Sequence, residues 1–109
     1  MSKQSKACEF PPKVRKLIKI RDQNKCVYCH SKNGIQIAHV FVPRSRGGLG
    51  VKENGACLCV SCHMKLDNGL DKEAMPIDEY VKGYMRRLYD INIKELIYNK
   101  WEVTNERTI

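Results

Sequence analysis

A chain of 109 residues, 42% hydrophobic and 29% charged, has the size of one domain, near the lower limit for a self-sufficient core. Twenty Lys and Arg against twelve Asp and Glu leave a net charge of +8, which suits a polyanionic partner, most simply nucleic acid. No apolar run is long enough to span a bilayer, and the N-terminus is short, lysine-rich and polar, so neither a membrane anchor nor a secretory segment is expected. The expected compartment is the cytoplasm, where six cysteines serve as thiols and metal ligands rather than disulfides.

In chain order, residues 1–10 read as a flexible basic leader with one stray cysteine, Cys8. A single domain is expected over 11–101. Pro11-Pro12 opens a short amphipathic helix through about Gln23, with Val14, Leu17, Ile18 and Arg21 at helical spacing. Cys26 to Cys29 makes a tight thiolate knuckle, and Asn33-Gly34 signals a turn. Ile35 to Phe41 reads as a strand. Pro43, Gly47-Gly48, Gly50 and Asn54-Gly55 exclude regular structure over 43–55. A short strand at Ala56–Cys59 leads into a helix from about Val60 to the Asn68-Gly69 pair. This strand, loop, strand and helix form a core over about 35–69. Helices follow over about 77–101. Tyr80, Val81, Tyr84, Met85 and Leu88 form an apolar stripe, and Asn92 with Glu95 caps a last helix to about Trp101. Residues 102–109 read as a tail.

Two Cys-x-x-Cys pairs, Cys26/Cys29 and Cys59/Cys62, each bite a tetrahedral ion with two thiolates. Together they predict a structural Zn²⁺ with no open position for water or substrate. Cys57 competes with Cys59, but the two-residue spacing onto a helix N-terminus favours Cys59 and Cys62. Cys57 is then a small buried hydrophobe and Cys8 a free thiol. In a domain this small, metal binding adds substantially to stability.

If Cys62 turns toward zinc, the 100° step of a helix turns His63 elsewhere, with Asp67 one turn along on the same face. That pair is either half of a divalent-ion shell or a surface hydrogen bond. His39 shares a strand face with Ile35 and Ile37 by alternation and is expected to face the helix carrying His63. It is a core histidine satisfied by a backbone carbonyl, or a general base for activating water. Asn54 can orient the histidine ring or pin the loop. Arg44 and Arg46 flank Ser45 before Gly47-Gly48, a loop suited to phosphate or simply a solvated basic loop. His30 has no assigned role.

His39-x-x-x-Pro43-Arg44-Ser45-Arg46-Gly47-Gly48, then Asn54, then Cys59-x-x-Cys62-His63 resembles the HNH endonuclease family, in its cysteine-containing, phage-like branch. The resemblance is clear over about residues 14–69 and weaker over Asp90–Trp101. It implies an α+β, ββα-metal fold and a metal-dependent DNA endonuclease or nickase. His39 would be the general base, Asn54 its support, and His63 with Asp67 ligands of a catalytic divalent cation such as Mg²⁺, Mn²⁺ or Ni²⁺. Arg44 and Arg46 would hold DNA phosphates. A phage or prophage setting beside the packaging terminase is implied as well. One position departs from the family: Ala38 stands where Asp or His often ligates metal. Asp67 or Glu53 with water and phosphate oxygens fills the shell, or the site binds metal weakly, or activity is lost. The last account leaves a catalytically inactive zinc-stapled DNA-binding module as the alternative.

Overall fold

Two antiparallel strands, β1 (Ile35–His39) and β2 (Gly55–Cys59), lie at the centre of the fold in the computed structural model, which describes residues 3–98. Their register pairs Ile35 with Cys59, Ile37 with Cys57 and His39 with Gly55. Side chains alternate across a strand, so the sheet has two differently covered faces. On one face Ile35 and Ile37 pack with Cys57, Phe10 and Ile18, the last from α2 (Pro12–Arg21). On the other, Ala38, Ala56 and Leu58 join the larger core with α3 (Val60–Asp67) and α4 (Ala74–Leu88). Every residue of β2 is buried because helices cover both of its faces. The result is a small α+β fold.

The helices follow their sequence signals with informative shifts. A proline at the first position opens α2, where its missing N–H costs no helical bond. Helix α4 begins at Ala74 and carries Pro76 within its first turn for the same reason. Its buried stripe runs Ala74, Ile77, Val81 and Met85, while Tyr80 and Leu88 are exposed. The apolar face is thus turned about the helix axis relative to the expected one and extends into the first turn. Asn92 does act as a cap, accepting from the Lys94 amide at 3.1 Å, but the element it caps is a 3₁₀ turn over Ile93–Leu96. Ile97 is already extended and bridges Gly48. The expected helix end at Trp101 and the tail 102–109 lie outside the described residues.

Residues 3–8 form a helix, α1 (Lys3–Cys8), where composition alone suggested a flexible leader. The cause is tertiary. Cys8 and Phe10 are 1% and 6% exposed, and the Gly50 amide donates to the Ala7 carbonyl at 2.9 Å. Lysines on the solvent side hid this apolar anchor from a reading by composition.

A buried ion pair ties the layers together. Asp22 is 5% exposed and accepts two bonds from Arg21 (2.7 and 2.9 Å), one from the Tyr84 hydroxyl (2.6 Å) and one from the Cys57 amide (2.9 Å). Arg21 also donates to the carbonyls of Gly55 (2.6 Å) and Lys52 (2.8 Å). Burial opposes charge on Arg21, but its bonds to Asp22 and Tyr89 outweigh that and hold it protonated. The tie joins α2, β2 and α4 at one point. Among the described residues no helix is long and apolar enough to cross a membrane.

Candidate functional site

The thiols of Cys26, Cys29, Cys59 and Cys62 lie within 4.8 Å of one another. Cys29 Sγ and Cys59 Sγ are 3.6 Å apart, far beyond the ~2.05 Å of a disulfide. That separation is close to the ~3.8 Å edge expected when ~2.3 Å Zn–S bonds meet at tetrahedral angles. The Cys29 amide points at Cys26 Sγ (3.5 Å) and the Cys62 amide at Cys59 Sγ (3.4 Å), donors that favour thiolate. Burial pushes the Cys26 thiol up, yet backbone bonds at Cys29, Cys59 and Tyr28 outweigh it and bring it to about 7. Burial and the adjoining thiols of Cys59, Cys26 and Cys29 push Cys62 up. Cys26 is accommodated as a thiolate, while Cys29 and Cys62 resist ionising beside it; a soft dication removes that conflict. The residues fit a structural zinc. Cys57 points to the α2 face, is fully buried, and is pushed up to about 12 by burial and then by Asp22. It stands apart from the cluster as a core thiol.

The two histidines lie on opposite faces of β1. His63 Nδ1 donates to Gln36 Oε1 at 2.7 Å, and Gln36 shares the α3 side of the strand with Ala38. His39 sits on the other side, its ring against Phe10 with centroids 4.6 Å apart, and its Nε2 donates to the Cys8 carbonyl at 2.9 Å. The expectation that His39 faces α3 is therefore corrected. Alternation was read properly, but α3 covers the Gln36/Ala38 face, and α2 with Phe10 covers the other. Burial holds His39 below its ordinary value of 6.5; the Cys8 carbonyl opposes this, the charges of Arg44 and His63 reinforce it, and the Gly48 backbone opposes it. His63 and His39 are thus close enough to feel each other around the strand end.

His63 Nε2 lies 3.5 Å from Asp67 Oδ2, with the histidine side chain 25% and the carboxylate 74% exposed. Nitrogen and oxygen at this spacing can share one ion, with most of its shell left to water and phosphate. Among the described residues, the four cysteines are the only group of three or more His, Cys, Asp or Glu placed to hold a metal. Ala38 is 2% exposed in the core and offers no ligand atom.

Asn54 is fully buried, and its amide is spent on the loop rather than on the His39 ring. Its oxygen accepts from the Phe41 (2.9 Å) and Val42 (3.1 Å) amides, and its nitrogen donates to the Val42 (3.0 Å) and Leu49 (3.1 Å) carbonyls. Of the two roles open to it, the geometry fits the pin. Arg44 to Arg46 form one 3₁₀ turn, closed by Gly47 at φ 82°, a left-handed value that glycine adopts without strain. Both arginines are exposed. Arg44 donates to the Ser5 hydroxyl (3.1 Å) and carbonyl (3.3 Å) and lies 3.7 Å from a Glu9 oxygen. Gln4, Ser5, Cys8, Arg44 and Ser45 line a cleft of about 560 Å³ beside it.

With this geometry in view, the comparisons with known proteins bear on one part of the chain. The HNH endonuclease family model matches residues 26–69. Over this span the chain is similar to that family. Neither the curated proteins nor the solved structures gave a match. The matched segment contains all four cysteines, His39, the Asn54-pinned loop, His63 and Asp67, and its strand, loop, strand and helix have the order of a ββα-metal fold. The match implies nuclease or DNA-binding function and interaction with DNA.

Several contributors escaped the sequence reading. Gln36 orients His63, and only knowledge of which strand face meets α3 would have shown it. Phe10 and the Cys8 carbonyl hold His39 from outside the matched segment, where no motif marks them. Arg86 of α4 places its guanidinium 5.1 Å from the Phe41 ring centroid, adding a cation near the strand end. His30 ends the first knuckle in a left-handed conformation, φ 66°, exposed, its amide donating to the Cys26 carbonyl at 3.0 Å.

Proposed function

We propose that this chain is a metal-dependent DNA endonuclease or nickase. The observation that carries the reading is a half-buried histidine, His39, ending β1 inside an HNH match, beside a loop pinned by the four bonds of Asn54. In this reading His39 takes a proton from a water whose oxygen attacks phosphorus in line. The P–O3′ bond breaks, leaving a 5′-phosphate and a 3′-oxygen that leaves as the hydroxyl after taking a proton from solvent. His63 and Asp67 would hold Mg²⁺, Mn²⁺ or Ni²⁺, which when bound supplies positive charge at the scissile phosphate and leaving oxygen. Gln36 keeps His63 turned so that Nε2 faces Asp67. Arg44 and Arg46 hold neighbouring phosphates, with Asn54 keeping their loop in place. The zinc staple fixes the start of α3, and so the direction of His63.

Ala38 favours a second reading, a zinc-stapled DNA-binding module without catalysis, because its methyl group cannot ligate a metal. Plasmid relaxation with Mg²⁺, Mn²⁺ or Ni²⁺, beside His39→Ala, separates the two. Nicking that His39→Ala abolishes supports the enzyme. DNA binding without nicking under any of these ions favours the module. The proposal extends to a phage or prophage setting beside the packaging terminase, for which nicking stimulated by added terminase proteins is the test.

A further inference from the structure

His39 is held from outside the matched segment, and the holding atom limits where its proton can be. A carbonyl oxygen only accepts hydrogen bonds. The 2.9 Å contact between His39 Nε2 and the Cys8 carbonyl therefore places the proton of the neutral ring on Nε2 and leaves the lone pair on Nδ1. The carbonyl is itself fixed. The adjacent Ala7 carbonyl accepts the Gly50 amide at 2.9 Å, and Arg15 Nε donates to the Phe10 carbonyl at 3.1 Å. Cys8 and Phe10 are buried, and the Phe10 ring lies tilted by 44° against the imidazole. Gly50 permits this close approach, since a Cβ there would lie 1.9 Å from the Glu9 carbonyl oxygen.

We infer that Ala7–Phe10 is a positioning segment for the general base, with the Cys8 carbonyl fixing His39 in the tautomer whose Nδ1 receives the proton of the attacking water. The inference deepens the nuclease reading and rests on it for the role of His39; the tautomer rests on the 2.9 Å Cys8 contact alone. In water a neutral histidine moves its proton between both nitrogens and turns its ring freely. The segment removes the form that has no lone pair at Nδ1 and stops the ring from turning. A family match confined to residues 26–69 carries none of this.

The test compares two full-length variants at one position. Glu9→Ala removes the side chain and its contact with Arg44 while keeping the backbone. Glu9→Pro removes the same side chain, deletes the amide that donates to the Lys6 carbonyl at 3.2 Å, and drives Cys8 out of helical geometry, which turns its carbonyl away. Nitrogen-15 NMR of the imidazole is expected to show wild type and Glu9→Ala protonated on Nε2 with Nδ1 bare, and Glu9→Pro as a mixture. In plasmid nicking, kcat of Glu9→Pro is expected about tenfold or more below Glu9→Ala, as when an orienting partner of a histidine is lost, with KM for DNA unchanged between them. Three results would overturn the inference: a wild-type proton on Nδ1, held by the nearby Gly48 backbone; equal kcat for the two variants; or a difference confined to KM. If wild type does not nick with Mg²⁺, Mn²⁺ or Ni²⁺, the nuclease reading fails instead, and the wild-type spectrum alone decides the tautomer. It decides equally if Glu9→Pro does not fold.

Discussion

Asn54→Ala removes four hydrogen bonds from a fully buried site, so its cost can be worked bond by bond. An intramolecular hydrogen bond is worth ~1 kcal/mol net, so four give a loss of about 4 kcal/mol if the loop keeps its shape. Water entering the vacated space would satisfy some of the orphaned groups of Phe41, Val42 and Leu49 and bring the loss to about 2 kcal/mol. Either figure is a large share of the ~5–15 kcal/mol that holds a small domain together. The assay is urea unfolding at a fixed excess of Zn²⁺, which keeps the metal contribution constant between variants. Asn92→Ala provides the scale, because Asn92 is exposed and its side chain caps a 3₁₀ turn; its loss should be ~0.5–1 kcal/mol. A loss for Asn54→Ala no greater than that of Asn92→Ala would refute the idea that this amide pins the loop.

Two further outcomes are expected. Chelation, or Cys62→Ser, should remove one tightly held Zn²⁺ per chain and unfold the domain, while Cys57→Ala keeps its zinc; a stable metal-free fold, or zinc lost with Cys57, would contradict the assigned ligand set. His39 is held below 6.5, chiefly by burial. In the proposed reaction the neutral ring is the base, so nicking is expected to be fully present above this lowered value and lost as pH falls through it. The acid limb of kcat/KM should therefore lie below pH 6.5, and a limb above neutrality would exclude His39 as the group responsible.

The four-cysteine cluster was legible because its members are placed by local spacing: two residues between cysteines bring both thiols of a pair together whatever surrounds them. The same holds for β1, β2 and α3, whose turn and cap residues sit beside the elements they delimit. The side of the sheet that α3 covers was not legible. Alternation placed His39 with Ile35 and Ile37, but only tertiary packing decides that Gln36 and Ala38 meet α3. The α1 anchor was hidden for a related reason, since Cys8 and Phe10 gain their burial from Gly50 and Ile18, far along the chain or on another element. Asp22 gave no signal at all. A lone carboxylate after a helix reads as surface until Arg21, Tyr84 and the Cys57 amide are seen to surround it.

The loop carrying Arg44 and Arg46 draws its outer partners from the far end of the described chain. The Leu49 amide donates to the Leu96 carbonyl at 2.8 Å, the Tyr98 amide donates to the Gly47 carbonyl at 2.7 Å, and Gly48 bridges Ile97. During synthesis, zinc can be captured once Cys62 is available, well before these contacts exist. The four-cysteine half of the site can therefore assemble first. The arginine turn can acquire its final shape only after residue 98 has been made, so its completion depends on a part of the chain that the four-cysteine cluster does not need.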